Sequence, residues 1–180
     1  MLNQALPGNN LEEFLVTEKH CSTKISFENG SGAPEEWIDW AEILRSKGGH
    51  HKGWQLIVAP APGYDNVNVI KPGDILIKRD HLDKSGKPIM PVTDRRGHVL
   101  IAMGTPKNGH LLIADSTSMT NKHSNDTRQL KDKTSYTGMG TGEIIVRTFK
   151  GEPQIVWSTD PNEKYIKPLY VVRPVSILGN

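Results

Sequence analysis

The chain has 180 residues, 36% of them apolar, which suits one compact domain that buries a core without disulfides or a structural metal. Its 22 basic and 20 acidic residues leave a net charge of +2, too little for the electrostatic footprint that a phosphate backbone demands, so nucleic acid is not an expected partner. The longest apolar runs, such as VLIAM at 99–103, are far too short to span a bilayer, and no integral membrane segment is expected.

The N-terminus, MLNQALPGNNLEEF, has neither a basic leader nor an extended apolar stretch, so no secretory signal is visible. A cytoplasmic location, signal-independent export and a trimmed leader all fit that reading. The first helical signal is NNLEEFLVTEK, where Asn9 or Asn10 can cap and Leu11, Phe14 and Leu15 form an apolar stripe. CSTKISFEN follows as a short helix, with Cys21 and Ile25 four apart and a glycine-rich NGSGAP stop. A clearer helix runs through APEEWIDWAEILRSKGG: Pro34 suits the first turn, Gly48 follows the last, and Trp37, Trp40, Ala41 and Leu44 share the core face.

The prolines and glycine of GWQLIVAPAPGYDN break up any long element there. Strand-like runs come next: DILIKRD, HVLIAMG, HLLIADS, GEIIVRTF, PQIVWST and PLYVVRPVSI. No helix long enough for a parallel crossover separates them, which predicts an antiparallel sheet in an α+β domain. The polar stretch between HLLIADS and GEIIVRTF is long for a connection, and such loops are more often functional or mobile than idle.

Three residues carry candidate chemistry. Cys21 is the single cysteine, which excludes an internal disulfide and a cysteine-based zinc cluster and leaves buried filler, a free thiol or a nucleophile. At a helix N-terminus, backbone N–H groups and the dipole favour its thiolate. His98 opens an apolar strand and suits either a general base or a core histidine bonded to backbone. Asp115 ends HLLIAD and can orient the imidazole if the two strands form a hairpin, or can simply bond the nearby Ser and Thr backbone. Strand alternation puts Leu100 and Ala102 on the face of His98, and Val99, Ile101 and Met103 on the other.

A rival reading takes His50, His51, His81 and Asp83 as metal ligands, but adjacent histidines lack the i, i+4 spacing that aims two imidazoles at one ion. No metal and no cofactor are expected. GMGTGE matches neither a dinucleotide nor a phosphate-loop pattern and reads as a glycine-rich turn.

Taken in order, HCSTKISFENG, VIKPGDILI, RGHVLIAMG and LLIADSTS resemble the NlpC-type papain-like cysteine peptidases and amidases. Those proteins carry Cys-Ser at a helix start, Pro-Gly-Asp before an apolar strand, a Gly/Ser-His-Val strand, and a polar third residue on the next strand. The resemblance implies one papain-like domain over 1–180, with N-terminal helices packed on a twisted antiparallel sheet. It implies a thiol hydrolase in which Cys21 attacks an amide carbonyl, His98 shuttles the proton and Asp115 holds the ring. Backbone N–H groups at Cys21 and His20 would meet the oxyanion.

Ser22 and Gly97, the neighbours of nucleophile and base, are the expected substrate-binding residues. Peptidoglycan stem peptides are the implied substrate, with a protein or lipid substrate for a hydrolase or acyltransferase, or a non-catalytic binding domain, as alternatives. The family commonly has histidine in the third position, which keeps His110 as a second candidate beside Asp115. Thr23 and Lys24 follow Cys-Ser where the family usually has glycine and an apolar residue.

Overall fold

The computed structural model describes residues 34–79, 97–117, 124–128, 138–157 and 168–175. The two helices expected over 9–19 and 21–29 lie outside these, with Cys21 and Ser22, and so do His81 and Asp83. Helix α1 (Pro34–Ser46) leads into β1 (His50–His51), β2 (Trp54–Val58), a 3-10 turn (Val67–Val69) and β3 (Ile75–Arg79). Then come β4 (Gly97–Ala102), β5 (His110–Thr117), β6 (Gly138–Phe149), β7 (Glu152–Trp157) and β8 (Leu169–Pro174).

The periodicity of α1 places Trp37, Trp40, Ala41 and Leu44 on one face, and all four are fully or almost fully buried. Burying each of the larger side chains contributes roughly 2 kcal/mol. The helix stops where Gly48 and Gly49 adopt φ of 76° and 89°, with Gly49 N–H donating to the Leu44 carbonyl at 2.8 Å. Gly49 has a second reason to lack a side chain, since a Cβ there would stand 2.6 Å from the Tyr64 hydroxyl.

All eight strands form one antiparallel sheet in the order β1-β2-β8-β3-β4-β5-β6-β7. The sheet curls until Gln154 of β7 pairs with Pro168, the residue before β8. Its inner face therefore covers itself: Val58, Leu76, Leu100, Ala102, Leu111, Ile113, Ile144, Val146, Ile155, Leu169 and Val171 pack together inside. Val67 and Ile70 join that cluster from the 3-10 region. On the outside, α1 packs over β1, β2, β8, β3 and β4, against Trp54, Leu56, Ile75, Ile77, Tyr170 and Val172, with Val99 partly buried beside them. A bulge between Leu56 and Val58 sends Val58 to the inner cluster while Trp54 and Leu56 stay under the helix.

This overturns the α+β, papain-like expectation of helices layered on a sheet. The described residues are mostly antiparallel β, 54% strand against 13% helix, with one α-helix. The physical reason is that a sheet closing on itself supplies its own cover for one face, so helices are needed on only part of the other. GMGTG is likewise not a turn but the first part of β6.

The KPGD sequence makes the turn into β3. Pro72 and Gly73 take its central positions, Gly73 at φ 88°, and the Asp74 carboxylate accepts from the Lys71 N–H at 2.8 Å. Asp74 is completely buried and meets Arg173 of β8 through two hydrogen bonds, from Nε at 2.6 Å and Nη2 at 2.8 Å. That pairing raises the Arg173 guanidinium above its ordinary value against the opposing effect of burial. Removing one partner of such a pair strands a charge, so Arg173→Met should cost about 3 kcal/mol in urea unfolding, and adding Asp74→Asn should recover most of it. Equal losses in the single and double variants would show that the pair does not anchor the turn.

Candidate functional site

One end of the curled sheet is polar. Along β3 the inner face runs from Leu76 to Lys78, and Lys78 pairs across the ladder with His98 of β4. On β5 it runs from Leu111 and Ile113 to Asp115, which pairs with Leu100 on one side and Gly140 on the other. Asp115 therefore stands diagonal to His98 on one face, a separation that longer side chains bridge. They do so at 2.6 Å, between His98 Nε2 and Asp115 Oδ2.

The His98 side chain is 20% exposed and that of Asp115 0%, so the imidazole reaches the surface from a carboxylate that does not. With Nε2 committed to Asp115, acid–base work by this ring falls to Nδ1. Trp157 of β7 presents its ring edgewise to His98 at 6.1 Å, and the buried Lys78 ammonium lies 4.7 Å from the Trp157 centroid, a cation–π distance.

The second oxygen of Asp115 faces Arg128, whose Nη2 lies 2.8 Å from Asp115 Oδ1. The same guanidinium donates from Nε and Nη2 to the two oxygens of Asp126 at 2.9 and 2.8 Å, and from Nη1 to the Gly138 carbonyl at 3.0 Å. Asp126 also accepts from the Arg128 backbone N–H at 2.9 Å, a local turn that clamps the arginine at both ends. The bond to Asp126 raises the Arg128 guanidinium above its ordinary value; burial opposes this and the charge of Asp115 adds to it.

Local sequence explains the entry of Arg128. The pairing of β7 with β6 begins at Ile144, and residues 124–128 lie along the edge of β6 before it: Glu143 N–H donates to the Ser124 carbonyl and Thr127 N–H to the Thr141 carbonyl, both at 2.9 Å. Arg128 then crosses Gly140, where a Cβ would meet its Nε at 2.6 Å.

Of the residues singled out from sequence, His98 and Asp115 come together, Gly97 adjoins them at the start of β4, and Cys21 and Ser22 lie outside the described residues. The second candidate, His110, is elsewhere. It sits five residues from Asp115 along β5, about 16 Å at strand rise and on the opposite face. There its Nδ1 meets Glu143 Oε1 at 2.8 Å, with both side chains partly solvated. His50 and His51 form the edge strand β1, His51 lies 5.9 Å from the Trp40 ring, and no metal-binding group of three or more ligands occurs among the described residues.

Arg128, Asp126 and Lys78 were not legible as site residues. The available signals were a lysine inside the apolar run DILIKRD, and Asp and Arg two apart in a polar stretch. No family model, curated protein or solved structure matches the chain.

The two candidate third residues should separate in stability as well. His110→Ala should move the unfolding free energy by no more than about 0.5 kcal/mol, because half-exposed ion pairs contribute little. Asp115→Ala should cost about 3 kcal/mol, since it removes a buried carboxylate that Arg128 faces. Chemical denaturation of both variants checks this ranking, and similar values for the two would argue against the buried network.

Proposed function

We propose that this chain is a thiol-dependent amide hydrolase acting on a peptide, with bacterial wall stem peptides as the leading substrate class. The observation that carries the reading is the 2.6 Å bond between His98 Nε2 and a fully buried Asp115, which holds one ring nitrogen and turns acid–base chemistry to the other. The choice of nucleophile and of substrate rests on the sequence resemblance of the segments around Cys21, Asp74, His98 and Asp115.

In this mechanism His98 Nδ1 takes the Cys21 thiol proton as sulfur attacks the amide carbonyl. The C–N bond then breaks, the imidazolium returns its proton to the departing amine, and a thioester remains on Cys21. Water, deprotonated by the same nitrogen, attacks the thioester, releasing the acid and restoring the thiol. Asp115 stays ionised throughout, fixes the tautomer and stabilises the transient imidazolium.

Purified protein should cleave an amide within a muropeptide, followed by mass spectrometry of the products. Cys21→Ala and His98→Gln should each remove at least about 10³ of the turnover, and Asp115→Ala about 10² or more, with His110→Ala close to wild type. Iodoacetamide at neutral pH should block the wild type, since an activated thiolate alkylates where a buried filler thiol does not. Undiminished cleavage by Cys21→Ala would refute the thiol mechanism, and loss of activity in His110→Ala rather than Asp115→Ala would move the orienting role to His110.

A further inference from the structure

We propose that Arg128, clamped by Asp126 and seated on Gly140, is a positioning residue that sets the direction and protonation pattern of the His98 ring through Asp115. The role in turnover rests on the reading of His98 as the base; the effect on the ring does not.

A carboxylate on a strand end can swing about its last torsion, and nothing in its bond to one imidazole nitrogen prevents this. Here the other oxygen is held. Arg128 Nη2 stands 2.8 Å from Asp115 Oδ1, so rotation of the carboxylate away from His98 would also break an ion pair in a site where both partners are buried. The arginine has no freedom to follow. Its fork is spent on Asp126, Nη1 is spent on the Gly138 carbonyl, and its stem lies over Gly140 at a distance no side chain would permit.

The charge pattern fits the same role. Arg128 serves Asp115 and Asp126 together, so one guanidinium holds two buried carboxylates. Asp115 presents its other oxygen to the imidazole, where it accepts the ring N–H. A glycine at 140 is required for packing rather than for backbone geometry, because its φ is not in the positive range. Alanine there keeps every charge and displaces only the arginine.

The test uses the full chain with 15N-labelled histidine, and reads the ring by long-range 15N–1H correlation at alkaline pH, where imidazoles are neutral. His98→Gln assigns the signals. The wild type should carry the His98 ring proton on Nε2, facing Asp115. In Gly140→Ala the signals should move toward a mixture of tautomers, and turnover of the muropeptide should fall about tenfold to a hundredfold in kcat with KM unchanged.

The double variant Arg128→Met with Asp126→Asn removes one cation and one anion, leaving no surplus buried charge, and should give the same two effects. The variants perturb the arginine in different ways, so loss of the fold in one leaves the other decisive. A folded variant that keeps the wild-type tautomer and kcat would overturn the proposal and make Arg128 structural. If Cys21→Ala cleaves like wild type while Gly140→Ala still shifts the tautomer, the hydrolase reading fails and the positioning role stands.

Discussion

Asp115 has no exposed side-chain surface, and a buried carboxylate must be met on both oxygens or it will not stay charged. Its two partners come from different elements: His98 from the neighbouring strand β4, and Arg128 from the segment between β5 and β6 that lies along the edge of β6. Each of those partners needs a particular backbone to be there. The direct pairing of Leu100 with Asp115, which sets His98 diagonal to Asp115 across β4 and β5, fixes the first, and the absence of a side chain at Gly140 fixes the second. Register and packing thus converge on one carboxylate, and the chemistry offered by His98 follows from how firmly that carboxylate is held.

The curled sheet is what makes such an end available. In a flat sheet the inner-face residues Lys78, His98, Asp115 and Gly140 would spread apart along the sheet normal to the strands, at nearly 5 Å per strand. Curling brings Trp157 of β7 against His98 of β4, although β5 and β6 separate those strands in the hydrogen-bonded order. It also concentrates apolar side chains in the middle, so that polar groups collect where the strands end. Two cations, Lys78 and Arg128, then stand with two anions, Asp115 and Asp126, among the buried residues of this end. That balance is what allows charges to remain inside at tolerable cost.

The strands were legible because their apolar runs are long and rich in branched residues, and the six runs recognised fall on β3 to β8. The fold class was not, because periodicity says which faces are buried and not what buries them. Even so, the record of closure is present in the details. Ile75, Leu76 and Ile77 are all buried, as are Leu169 through Val172, which marks β3 and β8 as covered on both sides. Along β6 burial alternates, and on β5 Leu112 is 49% exposed between buried Leu111 and Ile113, which marks strands with one solvated face. Helix α1 lies over the first kind and over the neighbouring strands β2 and β4. The hairpin joining β4 to β5 was also readable: Asn108 and Gly109 both have positive φ, and Lys107 and His110 exchange backbone bonds around them. Asn-Gly is the residue pair that such a turn favours, and it places Asp115 beside the strand of His98.

The least legible part of the site depends on where β7 stops. Had β7 continued to pair along β6 beyond Ile144, the edge at Thr141 and Glu143 would be occupied, and residues 124–128 would have no ladder to join. An uncovered edge is a liability, and a polar segment laid along it both satisfies the backbone and excludes other strands. The same few bonds deliver Arg128 to the polar end of the curled sheet. A sequence reader sees only a long polar connection followed by closely spaced glycines, with no periodicity to mark either as structured. Their meaning is relational: Gly140 is small because Arg128 lies on it, and Arg128 lies there because Thr127 is paired with Thr141. Neither residue alone carries a pattern, and that is why the inner partner of Asp115 emerges only once the strands are in register.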